Sequence, residues 1–239
     1  VMLDLGCVAA GHLDGGGSCT YGARAEGTSG FALVNSPSDG SERSISNGFL
    51  IASTAVSDGV FANAALTAEH SYVTPGSAVA VSAVGTDKAG APAEIPDDVT
   101  WTLENSELGT VQDGVFRSNG TVGDARVQMV YNGAVVGETT IHVVIPDAIR
   151  FTSQTITIPY GKTAKLEIAA TYGASDVATK EDDFVLTLSN PAIGTLEGLT
   201  FTAAEEGTEA YSSTLTAALA ATILPASAFD ALKDRPTPP

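Results

Sequence analysis

Basic residues are scarce in this sequence, and their shortage excludes two classes of partner. Only 11 lysines and arginines stand against 28 acidic residues in 239 positions, which gives a formal net charge of -17. A chain of this sign is repelled by the phosphates of nucleic acid and by anionic lipid surfaces. We therefore expect no nucleic-acid partner.

Long apolar runs are missing as well. No stretch reaches the roughly 18 consecutive apolar residues that indicate a membrane-spanning helix, and the first residues lack the basic segment that opens a signal peptide. We accordingly expect no membrane insertion by this part of the protein. The chain starts on Val1 and ends in prolines, and we interpret it as a piece of a longer secreted protein whose signal peptide lies upstream.

Cysteine and histidine are also few. The cysteines, Cys7 and Cys19, cannot form a disulfide framework, and between a single bridge and two separate buried thiols we favour the separate thiols. The three histidines, His12, His70 and His142, show no ligand spacing with each other or with the cysteines, so we predict no metal site and no cofactor. Acidic clusters at 97–98 and 181–183 could bind calcium, but such clusters are usually solvated, and we favour that interpretation.

What is abundant predicts a β protein. Aromatic residues make up only 6% and charged residues 16% of the chain, while alanine, threonine, serine, valine and glycine dominate. From residue 54 onward, short alternating strands are separated by turn residues about every eight to twelve positions, a pattern typical of a β-sandwich. The alternation places Val79 and Val81 on an inner face and Ala80 and Ser82 on an outer one. We expect a mainly β, extracellular protein.

An internal repeat organises this region. The segment 102–111 matches the segment 187–196, which sets an offset of 85 residues between the positions 102 and 187. Three further pairs keep the same offset: Gly76 with Gly161, Val81 with Leu166, and Phe116 with Phe201. Two tandem modules of this length are the simplest account.

The first copy carries a spaced pattern of a tryptophan, an asparagine, glycines, a valine and a phenylalanine. The residues are Trp101, Asn105, Gly109, Val111, Gly114, Phe116 and Gly120. This pattern resembles the central strands of bacterial Ig-like domains, although Leu186 replaces the tryptophan in the second copy. The resemblance implies Ig-like β-sandwich modules at 54–147 and 148–232, followed by a Pro-rich linker or tail at 233–239. Within the second module, the alanine-rich stretch 212–223 fits either a last strand or a helix.

The segment 12–20 combines an acid, three consecutive glycines and two hydroxyl side chains. Each glycine in regular structure costs about 0.5–1 kcal/mol relative to alanine, so glycines are kept where the backbone needs positive φ or must touch a ligand. Their N–H groups can form an anion-binding nest, to which Ser18 and Thr20 add donors, while Asp14 supplies a base. A tight structural turn is the alternative. His12 would share a strand face with Asp14, because side chains i and i+2 point the same way.

A second motif follows about twenty residues later. Residues 34–48 read VNSPSDGSERSISNG, after LDGGGS at 13–18. Together the two segments resemble the C-terminal end of the phosphodiester glycosidase family, whose members carry both elements in this order and spacing. The resemblance covers residues 1–53 and implies the last part of an α+β catalytic domain. Because most of the active site would lie upstream, we expect the 239-residue chain alone to be inactive.

The resemblance also implies a reaction, the hydrolysis of a sugar 1-phosphodiester, and hence a carbohydrate partner. The departing phosphate monoester is a stable anion, so the site needs phosphate-binding donors and one carboxylate to activate water or steady an oxocarbenium-like sugar. The candidate catalytic residues are Asp14, Ser18 and Arg43, and the candidate substrate-binding residues are Gly15, Gly16, Gly17, Thr20 and His12. Arg43 could instead form a surface ion pair with Glu42.

A different class of function also fits the sequence. The whole chain could be a non-catalytic tandem Ig-like stalk or a cell-surface adhesin that binds cell-wall glycan. Under the glycosidase hypothesis, the Ig-like modules instead serve as the stalk or surface-attachment region of the enzyme.

Residues 1–53 also carry local signals of secondary structure. An apolar helix is expected over 1–10, ended by Gly11, and strands are expected at 12–14, 19–23, 31–35 and 48–52. Between the last two strands, Pro37, Asp39 and Gly40 have turn chemistry, because proline presets φ and glycine adopts the left-handed conformation.

Overall fold

The computed structural model describes residues 6, 8–9, 19–28, 30–45, 48–206 and 212–220. The chain divides into two compact units, one of Val1–Ala65 with Val84–Asp97 and the other of Leu66–Ala83 with Asp98–Pro239. The protein is mainly β, as the composition predicts, with several small sheets of sandwich type and short 3-10 turns in the part described. The expected helix at 1–10 and strand at 12–14 lie, apart from residues 6, 8 and 9, outside the described residues.

The strands are numbered in chain order. Their bounds are β1 Gly22–Arg24, β2 Phe31–Leu33, β3 Asn63–Ala68, β4 Tyr72–Val73, β5 Ala78–Thr86, β6 Thr100–Leu103, β7 Gly109–Gln112, β8 Val115–Ser118, β9 Gly123–Tyr131, β10 Ala134–Val143, β11 Ala148–Phe151, β12 Thr163–Lys165, β13 Ile168–Tyr172, β14 Ser175–Val177, β15 Phe184–Leu188, β16 Gly194–Glu197, β17 Thr200–Ala203 and β18 Leu215–Leu219. Short 3-10 helices cover Ser106–Leu108, Glu181–Asp183 and Pro191–Ile193.

In the first unit, β1 and β2 form an antiparallel pair. The expected strand at 31–35 is confirmed, and the one at 19–23 begins later, at Gly22. The predicted turn is also present, because the N–H of Gly40 donates to the carbonyl of Pro37 at 2.9 Å and Gly40 has a φ of +77°. The strand expected at 48–52 is wrong. That segment has irregular backbone and pairs with no strand in the described part of the chain, and a segment without a pairing partner forms no ladder of hydrogen bonds.

The second unit contains the repeat. Its first copy has one sheet in the order β3-β5-β8-β7 and another in the order β4-β10-β9-β6. The predicted inner face is confirmed, because Val79 and Val81 are buried while Ala80 and Ser82 are exposed. The largest core side chain is Phe116, which is fully buried, and Trp101 packs against the same core as expected.

The second copy repeats these elements at the predicted offset. The 3-10 helix at 106–108 recurs at 191–193, β7 recurs as β16, and β8 recurs as β17, each 85 residues later. The residue predicted to match Phe116, Phe201, is buried in turn. The described part of the stretch 212–223 forms β18, a strand and not a helix, which pairs with β15.

The Gly-Thr pair at 109–110 recurs at 194–195, and the glycine of each pair explains the recurrence. Gly109 and Gly194 both have a φ of +155°, and both begin a strand that lies very close to its neighbour. A Cβ on either glycine would come within 2.1 Å of the facing carbonyl oxygen, that of Arg117 in the first copy and of Thr202 in the second. Only glycine allows the backbones to approach so closely.

Candidate functional site

The two candidate motifs differ in how much of them the structure describes. Asp14, the three glycines, Ser18 and His12 lie outside the described residues, so their predicted roles stay predictions. Thr20 and Arg43 are described, and both are exposed. Thr20 lies on the short segment of irregular backbone that precedes β1.

Asn35, near the start of the second motif, bonds to the segment 19–21, which follows the first motif in the chain. The N–H of Tyr21 donates to Oδ1 of Asn35 at 2.6 Å, and Nδ2 of Asn35 donates to the carbonyl of Cys19 at 2.8 Å. The N–H of Val34 adds a bond to the carbonyl of Tyr21 at 2.8 Å. These bonds hold the start of the second motif against the residues immediately after the first. The second motif contains Asn35, but nothing in the sequence indicates these hydrogen bonds.

Arg43 forms an ion pair with Asp39, four residues earlier in the sequence, and not with Glu42. Both side chains are partly exposed, at 58% for Arg43 and 38% for Asp39. An exposed pair contributes about 0–1 kcal/mol to stability. Asp39 lies in the turn closed by Pro37 and Gly40, so the ion pair holds the guanidinium group beside this turn. The guanidinium N–H groups that do not bond to Asp39 can still bind an anion.

Cys19 is an exposed free thiol, so the expectation of a buried one is wrong for this residue. It lies in irregular backbone ahead of β1, where nothing in the described part of the chain covers it. Cys7 lies outside the described residues.

A cluster that sequence analysis missed lies elsewhere in the first unit. The carboxylate of Asp87 is fully buried and accepts the N–H groups of Ala89 and Ala91 at 2.8 and 2.9 Å, and those of Asp58 and Gly59 at 3.1 and 3.4 Å. These bonds close the turn 87–91 and fasten the segment 57–59 to it. The turn signal Asp-Lys-Ala-Gly could have located this residue.

Hydrogen bonding sets the ionisation of this cluster. The hydroxyl of Ser57, followed by the backbone donors, holds the pKa of Asp87 well below its ordinary value, and outweighs the opposite effect of burial. Beside it, Lys88 lies 2.7 Å from the carboxylate of Asp58 and lowers the pKa of that group. Because every donor to Asp87 belongs to the local turn or to residues 57–59, we interpret the cluster as structural.

The acidic cluster at 181–183 is not simply solvated. Asp183 is 1% exposed and accepts a hydrogen bond from the hydroxyl of Thr74 at 2.5 Å. The expectation is therefore wrong for this residue, since a partner 109 positions away supplies a donor that the sequence does not reveal. In the other cluster, Asp98 is exposed.

Two searches of the described residues gave no candidate. No group of three or more histidine, cysteine, aspartate or glutamate side chains is placed to hold a metal ion there. Nor does any helix in that part of the chain have the length and apolar character needed to cross a membrane.

Comparison with known proteins bears on the two parts of the chain separately. Residues 1–52 match the family of the phosphodiester glycosidases. The match covers the segment that carries both motifs, and it confirms the resemblance for this N-terminal part. None of the curated proteins matches the chain.

Similar solved structures include domains of an S-layer protein and of an adhesin. Domains 4 and 5 of the S-layer protein SbsC share 15% identity, over 67% of this chain and 94% of that one, with a TM-score of 0.33. The chain spans only 29% of the structure of SbsC domains 4–9, at 16% identity and a TM-score of 0.31. It spans 56% of the Escherichia coli adhesin FdeC, at 14% identity and a TM-score of 0.29. At these scores the likenesses do not bear on function.

Proposed function

We propose that this chain is part of a secreted glycosidase that hydrolyses sugar 1-phosphodiesters, with residues 1–53 as the last part of its catalytic domain. Residues 54–147 and 148–232 are then Ig-like modules that act as a stalk or surface-attachment region. One observation carries the proposal: the segment that matches the phosphodiester glycosidases contains both motifs. The bonds of Asn35 to Cys19 and Tyr21 support it, since they hold the start of the second motif against the residues that follow the first in the chain.

The proposed chemistry assigns each candidate residue a task. The N–H groups of Gly15, Gly16 and Gly17 and the hydroxyl of Ser18 bind the phosphate, whose negative charge grows as the glycosidic bond breaks. Arg43 supplies a positive charge to the same group. Asp14 activates water or stabilises the positive charge that develops on the sugar. Thr20 and His12 contact the substrate at the edge of the loop.

The stalk role rests on the repeat. Both copies bury equivalent side chains and place equivalent glycines at a close strand contact, which supports two modules of one kind in tandem, the arrangement of a stalk. The alternative, an adhesin that binds cell-wall glycan, predicts that the 239-residue chain binds isolated cell-wall polysaccharide at micromolar concentration, whereas a passive stalk does not.

The test of the enzymatic proposal is Asp14→Asn in the intact parent protein. Asparagine keeps the size of the side chain and most of its turn hydrogen bonds but removes the charge, so the melting temperature should stay the same. Turnover of a sugar 1-phosphodiester should fall by about 10²–10⁴, the usual effect of removing a general base. Near wild-type turnover at an unchanged melting temperature would show that Asp14 is only a turn residue.

A further inference from the structure

The two repeats share more than the chain that links them. Here the first repeat means residues 66–83 and 98–143, and the second means residues 148–220. Val73 in β4 of the first forms a parallel bridge with Ala178 of the second. The N–H of Thr74 donates to the carbonyl of Ala178 at 3.2 Å, and the N–H of Ala178 donates to the carbonyl of Tyr72 at 2.9 Å. Because β4 also pairs with β10, backbone hydrogen bonding continues from the sheet of one repeat to the residue that follows β14 in the other.

A buried carboxylate lies at this junction. Oδ2 of Asp183 accepts the hydroxyl of Thr74 at 2.5 Å and the N–H of Lys180 at 2.7 Å, and Oδ1 lies 3.3 Å from Nζ of Lys180. Thr74 is itself fully buried. A carboxylate that loses its hydration must be paired and fully hydrogen-bonded. Since Thr74 belongs to the first repeat, the site of Asp183 is complete only when the two repeats are in contact.

The side chain of Lys180, in the second repeat, also bonds to the first repeat. Its Nζ donates to the carbonyl of Pro75 at 2.6 Å while pairing with Asp183 in its own repeat. One ammonium group thus satisfies a backbone acceptor of the first repeat and a carboxylate of the second. Separating the repeats would deprive the carbonyl of Pro75 of its bond to Lys180 and the hydroxyl of Thr74 of its bond to Asp183.

Apolar contacts accompany the polar ones. Ala178 packs against the hydrophobic core of the first repeat. The ring of Tyr72 stacks on His142 of its own repeat, with the centroids 4.5 Å apart, and on Tyr172 of the second repeat at 6.4 Å. Stacked pairs at these separations are attractive and restrict the orientation of the rings.

The linker itself is short and fixed at both ends. It consists of residues 144–147, between β10 and β11. The N–H of Val144 donates to Val73 in the first repeat at 2.9 Å, and the N–H of Asp147 donates to Thr171 in the second, also at 2.9 Å. A linker bonded at each end leaves few free dihedral angles for the modules to swing about.

We propose that these contacts form a rigid joint, which fixes the two repeats in one orientation and makes them a single stiff element. The residues of the joint are Tyr72, Thr74, Pro75, Tyr172, Ala178, Lys180 and Asp183. The joint deepens the stalk part of the proposed function, on which its biological use rests, because a stiff element sets a distance that a flexible tether cannot. Its test uses no substrate, so its failure is distinguishable from failure of the glycosidase proposal.

The experiment measures the distance between the repeats in the 239-residue chain. Spin labels are attached at two exposed strand positions that correspond at the 85-residue offset, Thr110 and Thr195, each replaced by cysteine after Cys7 and Cys19 have been changed to serine. Pulsed electron paramagnetic resonance then gives the distribution of label distances. A rigid joint predicts one narrow distribution, and a broad one in the otherwise unaltered chain would overturn the proposal.

Variants test whether the named contacts produce the rigidity. Thr74→Val keeps the shape of the side chain but removes the hydroxyl donor, and Lys180→Met removes the ammonium group. The double variant should lose the narrow distribution while each repeat stays folded by NMR. A distribution that stays narrow would mean that these contacts do not hold the repeats together.

A matched control and a second measurement complete the test. Asp98 corresponds to Asp183 at the repeat offset but is exposed, so Asp98→Asn should leave the distribution unchanged. Calorimetry should show the two repeats melting together in the wild type and apart in Lys180→Met, which also serves if the double variant does not fold. Separate transitions in the wild type would overturn the proposal.

Discussion

Asn35 offers the most direct test of how the start of the second motif is held against residues 19–21. Its side chain accepts the N–H of Tyr21 at 2.6 Å and donates to the carbonyl of Cys19 at 2.8 Å. A net contribution of about 0.5–1.5 kcal/mol for each hydrogen bond gives about 1–3 kcal/mol for local order in this segment. Asn35→Ala removes both bonds and should raise the opening equilibrium of the Tyr21 amide by about 5- to 150-fold, since about 1.4 kcal/mol corresponds to a factor of ten.

Hydrogen exchange of the Tyr21 amide, followed by NMR on the 239-residue chain, measures this directly. Asn35→Asp is the matched control, because it keeps the oxygen that accepts the Tyr21 N–H and loses only the donor to Cys19. Protection of Tyr21 should therefore fall in the alanine variant and be largely kept in the aspartate variant. Equal protection in the wild type and the alanine variant would refute the view that Asn35 holds the second motif against residues 19–21.

Two further predictions concern stability. The hydrogen bonds to Asp87 lower its pKa from the ordinary 3.8, so its contribution is complete above that pH and is lost as the pH falls towards the lowered value. Asp87→Asn should therefore melt lower than the wild type at pH 7 and lose less on going to pH 3, and equal losses in thermal melts at the two pH values would contradict this. Gly194→Ala should cost about 1–3 kcal/mol or more in urea unfolding, because its Cβ would lie 2.1 Å from the carbonyl oxygen of Thr202 at a φ of +155°. Gly173→Ala has a φ of +58° but open space around it, so a loss as large as that of Gly194→Ala would count against the steric explanation.

The sequence predicts the repeat well because the repeat depends on residue types at fixed spacings along the chain. Strand alternation, the glycine that allows a close strand contact and the phenylalanine that fills the core all recur at a fixed spacing. Gly109 and Phe116 in the first copy and Gly194 and Phe201 in the second take the same places in the structure. Such features depend on neighbouring residues along the chain, and a single sequence contains them.

What the sequence does not predict depends on distant partners. The two acidic clusters look alike in the sequence, yet Asp98 is exposed whereas Asp183 is buried against Thr74. Likewise, the segment 48–52 is apolar enough for a strand but has irregular backbone. A strand needs an edge to pair with, and a composition suited to pairing does not supply one.

The exposed apolar residues of the first unit fit the proposed function. Phe49, Leu50 and Ile51 are consecutive and are 87%, 77% and 85% exposed, and Phe31 on β2 is 71% exposed. Single exposed apolar side chains are ordinary, but adjacent ones of this size mark a surface that is covered in the working protein. If residues 1–53 end a larger catalytic domain, the rest of that domain covers this surface, and the same packing would order the segment 48–52.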